Sequence, residues 1–178
     1  MFNELAPVPL RSRAAGIITA TLLWLLPAAV LATSDVLRAA DQVLVVKSER
    51  RLYLIRDGQP YRSYKVVLGL NPVGQKEREG DFRTPEGRYR LDGRNPLSEF
   101  FLSIHLSYPT PDDVARAKSR HASPGGSIMI HGLPNVPRRP IDYYKSVDWT
   151  DGCIAMANDD MLEVWLLTRD NTPIEIRP

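Results

Sequence analysis

Short β-branched and aromatic runs, each closed by a turn residue, restrict this chain to a fold built from many brief strands. Gln42–Lys47 and Arg51–Arg56 read as strands. Asp57-Gly58 then separates Arg51–Arg56 from Tyr61–Leu68, and an Asp-Gly pair supplies the positive φ that a tight hairpin needs. Arg88–Leu91 follows the turn Thr84-Pro85-Glu86-Gly87. Phe100–Leu106, Ser127–Ile130, Cys153–Met156 and Ile174–Ile176 complete the strand series. The 15 prolines and 11 glycines fit such a turn-rich design. Gly69 to Gly80 and Pro134 to Pro140 read as loops. One short helix opens at Thr110-Pro111-Asp112-Asp113, where Thr caps and the acids complement the dipole. A second runs from an N-cap Asn158 through Thr168, with Met161, Leu162, Trp165 and Leu166 as its apolar stripe. The expectation is a mainly β domain over residues 42–177 with one or two short helices.

Residues 1–32 read as a secretory signal peptide. Arg11 and Arg13 are its basic region, Ala14 to Ala32 carries no charge, and Val30-Leu31-Ala32 resembles a cleavage site. An uncleaved anchor is the competing expectation, because the apolar stretch approaches the ~20 residues that span a bilayer. Export implies the periplasm, with membrane contact only if the leader is retained. A formal charge of +2 gives no electrostatic footprint for nucleic acid.

Cys153 is the sole cysteine, so it cannot form an internal disulfide. It is either a small buried hydrophobe or a kept reactive thiol. Gly152 before it and His131-Gly132 upstream favour the second. An imidazole titrating near ~6.5 is a natural base for a thiol. Two short adjacent strands, joined by a loop, can present both side chains at one sheet end. The backbone N–H groups of Gly152 and Cys153 are candidate donors to a carbonyl oxygen that turns anionic during attack. Gly132 leaves room for close substrate approach. The chemistry these residues allow is acyl transfer through a thioester. A metal site drawing on His105, His121, His131 and Cys153 lacks any close ligand pair, so no metal is expected.

The surrounding residues allow two readings each. Asp151 either orients His131 or belongs to a turn. Trp149 either walls a substrate groove or packs in the core. Asn158 either bonds near the site or caps its helix, and His105 is either a substrate contact or packed or satisfied locally. Arg138 and Arg139 either attract a carboxylate or are solvated. Thr150 and Gly132 complete the candidate substrate-binding set.

His131-Gly132 followed by Thr150-Asp151-Gly152-Cys153 resembles the hallmark of the L,D-transpeptidase catalytic domain, also called the YkuD domain. Leu52-Tyr53-Leu54 to Gly69, Thr84 to Tyr89 and Ile128 to Gly132 fall in that family's order. The resemblance implies a β-sandwich or barrel-like fold, no cofactor, and action on peptidoglycan stem peptides. In that reading Cys153 is the nucleophile and His131 the proton acceptor and donor. The acyl group passes to an amine on a neighbouring stem or on a wall-linked lipoprotein. Two positions depart from the family pattern: Asp151 replaces a His, and Ala155 replaces a frequent Arg. These departures leave a same-fold carboxypeptidase or amidase as an alternative, with a non-catalytic wall-binding module as a third.

Overall fold

The computed structural model describes residues 38–178. The expected leader, residues 1–32, lies outside the described residues. Eight strands and three helices follow in the order β1 (Gln42–Val46), β2 (Arg51–Arg56), β3 (Gln59–Lys65), β4 (Gly87–Ser98), β5 (Phe101–Leu106), α1 (Pro111–Lys118), β6 (Met129–His131), α2 (Ile141–Ser146), β7 (Ile154–Ala155), α3 (Asn158–Leu167) and β8 (Pro173–Arg177). The mainly β expectation holds. There is one helix more than expected: α2 has only six residues and no side-chain cap, so nothing in its sequence announces it.

The strands form one sheet in the order β3-β2-β1-β8-β4-β5-β6-β7. Asp57 and Gly58 both take positive φ, at 51° and 75°, and make the hairpin that the Asp-Gly pair predicts. β4 is much longer than the Arg88–Leu91 run. Its first residues, Gly87 to Arg90, pair with β8, while Leu91 to Ser98 pair with β5. The register shifts between Leu91 and Gly93 and again between Asn95 and Ser98. Asp92-Gly93 and Asn95-Pro96 therefore mark bulges inside a bent strand rather than its end.

That bend brings the two halves of the sheet onto one core. Val43, Val45, Leu52 and Leu54 come from one half, and Leu91, Ile104, Leu106, Ile130 and Ile154 from the other, all fully buried. The ladder then closes on itself. Beyond β3 the chain leaves its hairpin partner, and Val67 exchanges two backbone hydrogen bonds of 2.9 Å with Ala155 of β7. The edges of the strand order meet at that seam, which gives the barrel-like closure expected of the fold.

α3 covers the core, but its buried face differs from the expected stripe. Met161, Val164 and Leu167 point inward, whereas Leu162 and Leu166 are exposed at 43% and 65%. Its N-cap is Ala157, without a side-chain bond, so Asn158 is not the cap. The Asn158 Oδ1 instead accepts the backbone N–H of Leu133 at 2.8 Å. Tying Asn158 to the chain leaving β6 fixes the helix rotation, and that rotation decides which apolar side chains are covered.

The long connection from Gly69 to Thr84 is ordered from within. Lys47, almost fully buried, donates to the Gly74 and Thr84 carbonyls at 2.7 and 3.0 Å and to the Glu86 carboxylate at 2.8 Å. Lys76, also buried, pairs with Asp81 at 2.8 Å. Each ammonium is compensated where it sits, as burial of charge demands.

Candidate active site

β6 and β7 run side by side in parallel, with Ile130 opposite Ile154 and His131 opposite Ala155. Both isoleucines face the core, so the period of two puts His131 and Cys153 together on the other face. Cys153 stands one step before β7, diagonal to His131. That is neighbour spacing within reach of an imidazole.

His131 is buried. Its Nδ1 shares a 2.7 Å hydrogen bond with the Gly132 carbonyl. A carbonyl can only accept, so Nδ1 carries the hydrogen and Nε2 keeps a lone pair. The ring is clamped by Phe100, at 4.6 Å between centroids, and by Trp149 at 5.7 Å in an edge arrangement. Asp151 is exposed, so the orienting contact considered for it belongs to the Gly132 carbonyl instead. Gly132 is glycine for space: a Cβ there would stand 2.7 Å from Asn158 Oδ1 and 2.9 Å from the Phe101 Cβ.

The thiol is half-buried. Its Sγ donates to the Ser127 carbonyl at 3.6 Å rather than to His131. Burial pushes the thiol pKa up, partly offset by the Met129 backbone N–H, which favours the thiolate. Burial also pushes His131 down to about 4, opposed by the bond to Gly132. At neutral pH the resting pair is a protonated thiol beside a neutral imidazole. For His131 to act as its base, the thiol must turn from the Ser127 carbonyl toward Nε2.

The turn that carries Cys153 is wound tightly. Thr150 donates its hydroxyl to the Cys153 carbonyl at 2.7 Å and accepts the Gly152 N–H at 3.1 Å. Thr150 is buried, and its hydroxyl is thereby committed to the turn instead of to substrate. The Gly152 N–H, one of the expected oxyanion donors, is engaged in the same way. Gly152 itself takes φ +131°, and a Cβ there would meet the Arg83 carbonyl at 2.7 Å. Gly69 lies behind it, with room for no side chain: the Phe82 carbonyl oxygen would be 2.1 Å from its Cβ.

The remaining candidates fall into two groups. Trp149 donates its indole N–H to the Tyr144 carbonyl at 3.1 Å and lines an open groove of about 590 Å3. Arg138 lines the same groove, held through its backbone N–H by the Tyr144 hydroxyl at 3.0 Å. Arg139 stacks over Tyr143 at 5.8 Å. His105 instead pairs with Asp92 of the neighbouring strand β4 at 2.6 Å. Ala155 is fully buried at the seam. A separate cavity of about 210 Å3 beside it is lined by Lys65, Tyr144, Lys145 and Asp160. Among the described residues no group of three or more His, Cys, Asp or Glu could hold a metal ion. No described helix is long and apolar enough to cross a membrane.

Phe100, Ser127 and Tyr144 shape this site without any signal in the sequence. Phe100 reads as an ordinary strand residue. Ser127 acts through its carbonyl, in a φ of 54°, which residue type does not reveal.

The buried imidazole makes stability pH-dependent. Unfolded, His131 binds a proton near ~6.5; folded, it does so only at about 4. The unfolded chain holds more protons between these values, so stability is complete above the upper one and falls as pH drops toward the lower. The expected loss across that window is about 3 kcal/mol, read from urea midpoints at pH 7 and 4.5. His131→Gln should flatten that slope, and an unchanged slope would refute the assignment.

The sequence matches the family model described as the L,D-transpeptidase catalytic domain over residues 40–176. It is 35% identical over 97 residues to YafK of Escherichia coli, a provisionally named L,D-transpeptidase, covering 51% of this chain and 37% of that protein. The fold is similar to Pgp2 of Campylobacter jejuni, a helical cell shape determining protein, with a TM-score of 0.56 and 27% identity over 76% of this chain and 46% of that one. An L,D-transpeptidase of Xylanimonas cellulosilytica shares the fold at a TM-score of 0.51 and 14% identity, covering 78% of this chain and 61% of that one. The chain thus spans about a third to three-fifths of the length of these relatives.

Proposed function

The chain belongs to the L,D-transpeptidase catalytic-domain family, and from that premise we propose that it is a cysteine acyltransferase acting on peptidoglycan stem peptides outside the cytoplasm. The observation that carries this reading is the placement of Cys153 and His131 on one face of adjacent parallel strands, with the imidazole Nε2 unprotonated. The similarity to Pgp2, a cell shape determining protein, fits a role on the wall.

In the proposed cycle the substrate displaces the thiol from Ser127. His131 Nε2 takes the thiol proton as Sγ attacks the carbonyl of the donor's diamino acid residue. The Cys153 backbone N–H polarises the carbonyl oxygen. Collapse of the tetrahedral adduct breaks the C–N bond, and the imidazolium returns its proton to the departing amine of terminal D-alanine. An incoming amine then attacks the thioester, His131 removes its proton, the C–S bond breaks, and the thiolate is reprotonated. The acceptor is an amine of a second stem or of a wall-linked lipoprotein.

The test is the intact mass of the protein after exposure to a carbapenem, together with the products formed from disaccharide-tetrapeptide. The expected results are a single covalent adduct and crosslinked dimer with loss of D-alanine, both absent from Cys153→Ala. Adduct or dimer from the Cys153→Ala protein would remove the sulfur from the mechanism. Tripeptide without dimer would make the enzyme a hydrolase.

A further inference from the structure

The groove beside His131 carries two charged side chains that nothing in the fold uses. Glu99 and Arg138 both line it, both are exposed, and neither makes a side-chain hydrogen bond or ion pair among the described residues. The groove shares the rings of Phe100 and Trp149 with the imidazole, since those two residues wall the groove and clamp His131. Its volume of about 590 Å3 is in the usual range for small-molecule sites, roughly 300–1,000 Å3. Its rim is stiff. Pro134, Pro137 and Pro140 recur every third residue around Arg138, and the Tyr144 hydroxyl holds the Arg138 N–H.

We propose that this groove is the amine-side subsite, in which Arg138 grips the carboxylate, and Glu99 attracts the ammonium, of the amino acid that leaves or enters. The inference rests on the acyl-transfer reading and deepens it. His131 must protonate the departing amine and later deprotonate the incoming one, so both amines occupy the imidazole's side of the sulfur. Departing D-alanine carries a free carboxylate one carbon from that amine. A guanidinium matches a carboxylate in a two-pronged geometry that no other side chain supplies. The other groups near the sulfur are the Ser127 carbonyl and the exposed Asp151, which would repel a carboxylate, and Lys76, whose ammonium is already paired with Asp81. Glu99 concentrates cationic amines near the thioester; the neutral form attacks, His131 takes the proton that the newly bonded nitrogen sheds, and the C–S bond breaks.

Binding can be read apart from turnover. Cys153→Ala protein is titrated with D-alanine and, separately, with D-alaninamide, following the Trp149 indole N–H by NMR. D-alanine should shift that signal and bind at least tenfold more tightly than the amide. Adding Arg138→Ala should abolish the difference by weakening D-alanine alone, while Arg138→Lys should restore part of it. Adding Glu99→Gln should weaken both ligands about threefold. A preference for the carboxylate that survives Arg138→Ala, or a Trp149 signal indifferent to D-alanine, overturns the proposal. If D-alanine binds as described but the wild-type thiol forms no adduct with carbapenem or tetrapeptide, the transferase reading fails while the subsite stands.

Discussion

His131→Gln should slow acylation of Cys153 by a tetrapeptide donor about a thousandfold, the middle of the range for losing a positioned general base. Burial raises the pKa of the thiol and lowers that of the imidazole. Little thiolate therefore exists before substrate arrives, and the proton must move during attack. An enzyme with a preformed ion pair would behave differently, because its sulfur would react with small alkylating agents near pH 6. Here iodoacetamide should react slowly at neutral pH and faster as pH rises beyond 9, in wild type and His131→Gln alike. Glutamine cannot accept the proton, although its amide fills much of the imidazole's space between Phe100 and Trp149. A loss smaller than tenfold in the donor reaction would show that some other group takes the thiol proton.

Gly69→Ala should cost about 3 kcal/mol or more, at the upper end for overpacking, and lower the melting temperature by roughly 10 °C. The atom in the way is backbone oxygen: a Cβ would lie 2.1 Å from the Phe82 carbonyl and 3.1 Å from the Gly152 Cα. No side chain can swing aside to relieve either contact. Relief requires the 69–84 connection to lift from the turn that holds Cys153, so thiol acylation should fall together with stability. Gly126→Ala is the matched control, since nothing lies within 4 Å of its Cβ and its φ is not left-handed. Equal melting temperatures for the two variants would mean that the close packing behind the nucleophile is not maintained in solution.

Local chemistry explains which parts of this molecule could be read from its residues. The Asp57-Gly58 hairpin was legible because both residues tolerate the φ that the turn demands. α1 was legible because Thr110 and Asp113 form a reciprocal cap. β4 was not, because a bulged strand contains the same Gly and Pro that end an ordinary one. The face of α3 depends on Asn158 reaching Leu133, a contact between distant segments that no periodicity encodes. At the site, the types and order of Cys153 and His131 pointed to their chemistry. Their immediate surroundings work largely through backbone groups: the Gly132 carbonyl on the imidazole, the Ser127 carbonyl on the thiol, and the Gly152 N–H held by Thr150. Backbone groups are common to every residue, so sequence alone is silent on them.

The Val67–Ala155 bridge ties the strand that follows Cys153 to the far edge of the sheet. Contacts between residues so far apart along the chain form late, after local hairpins and helices. Until such a contact forms, β7 is held on one side alone, by β6. A half-folded copy therefore holds its sulfur less firmly, and the full capacity to seize an acyl group is expected only once the sheet has closed.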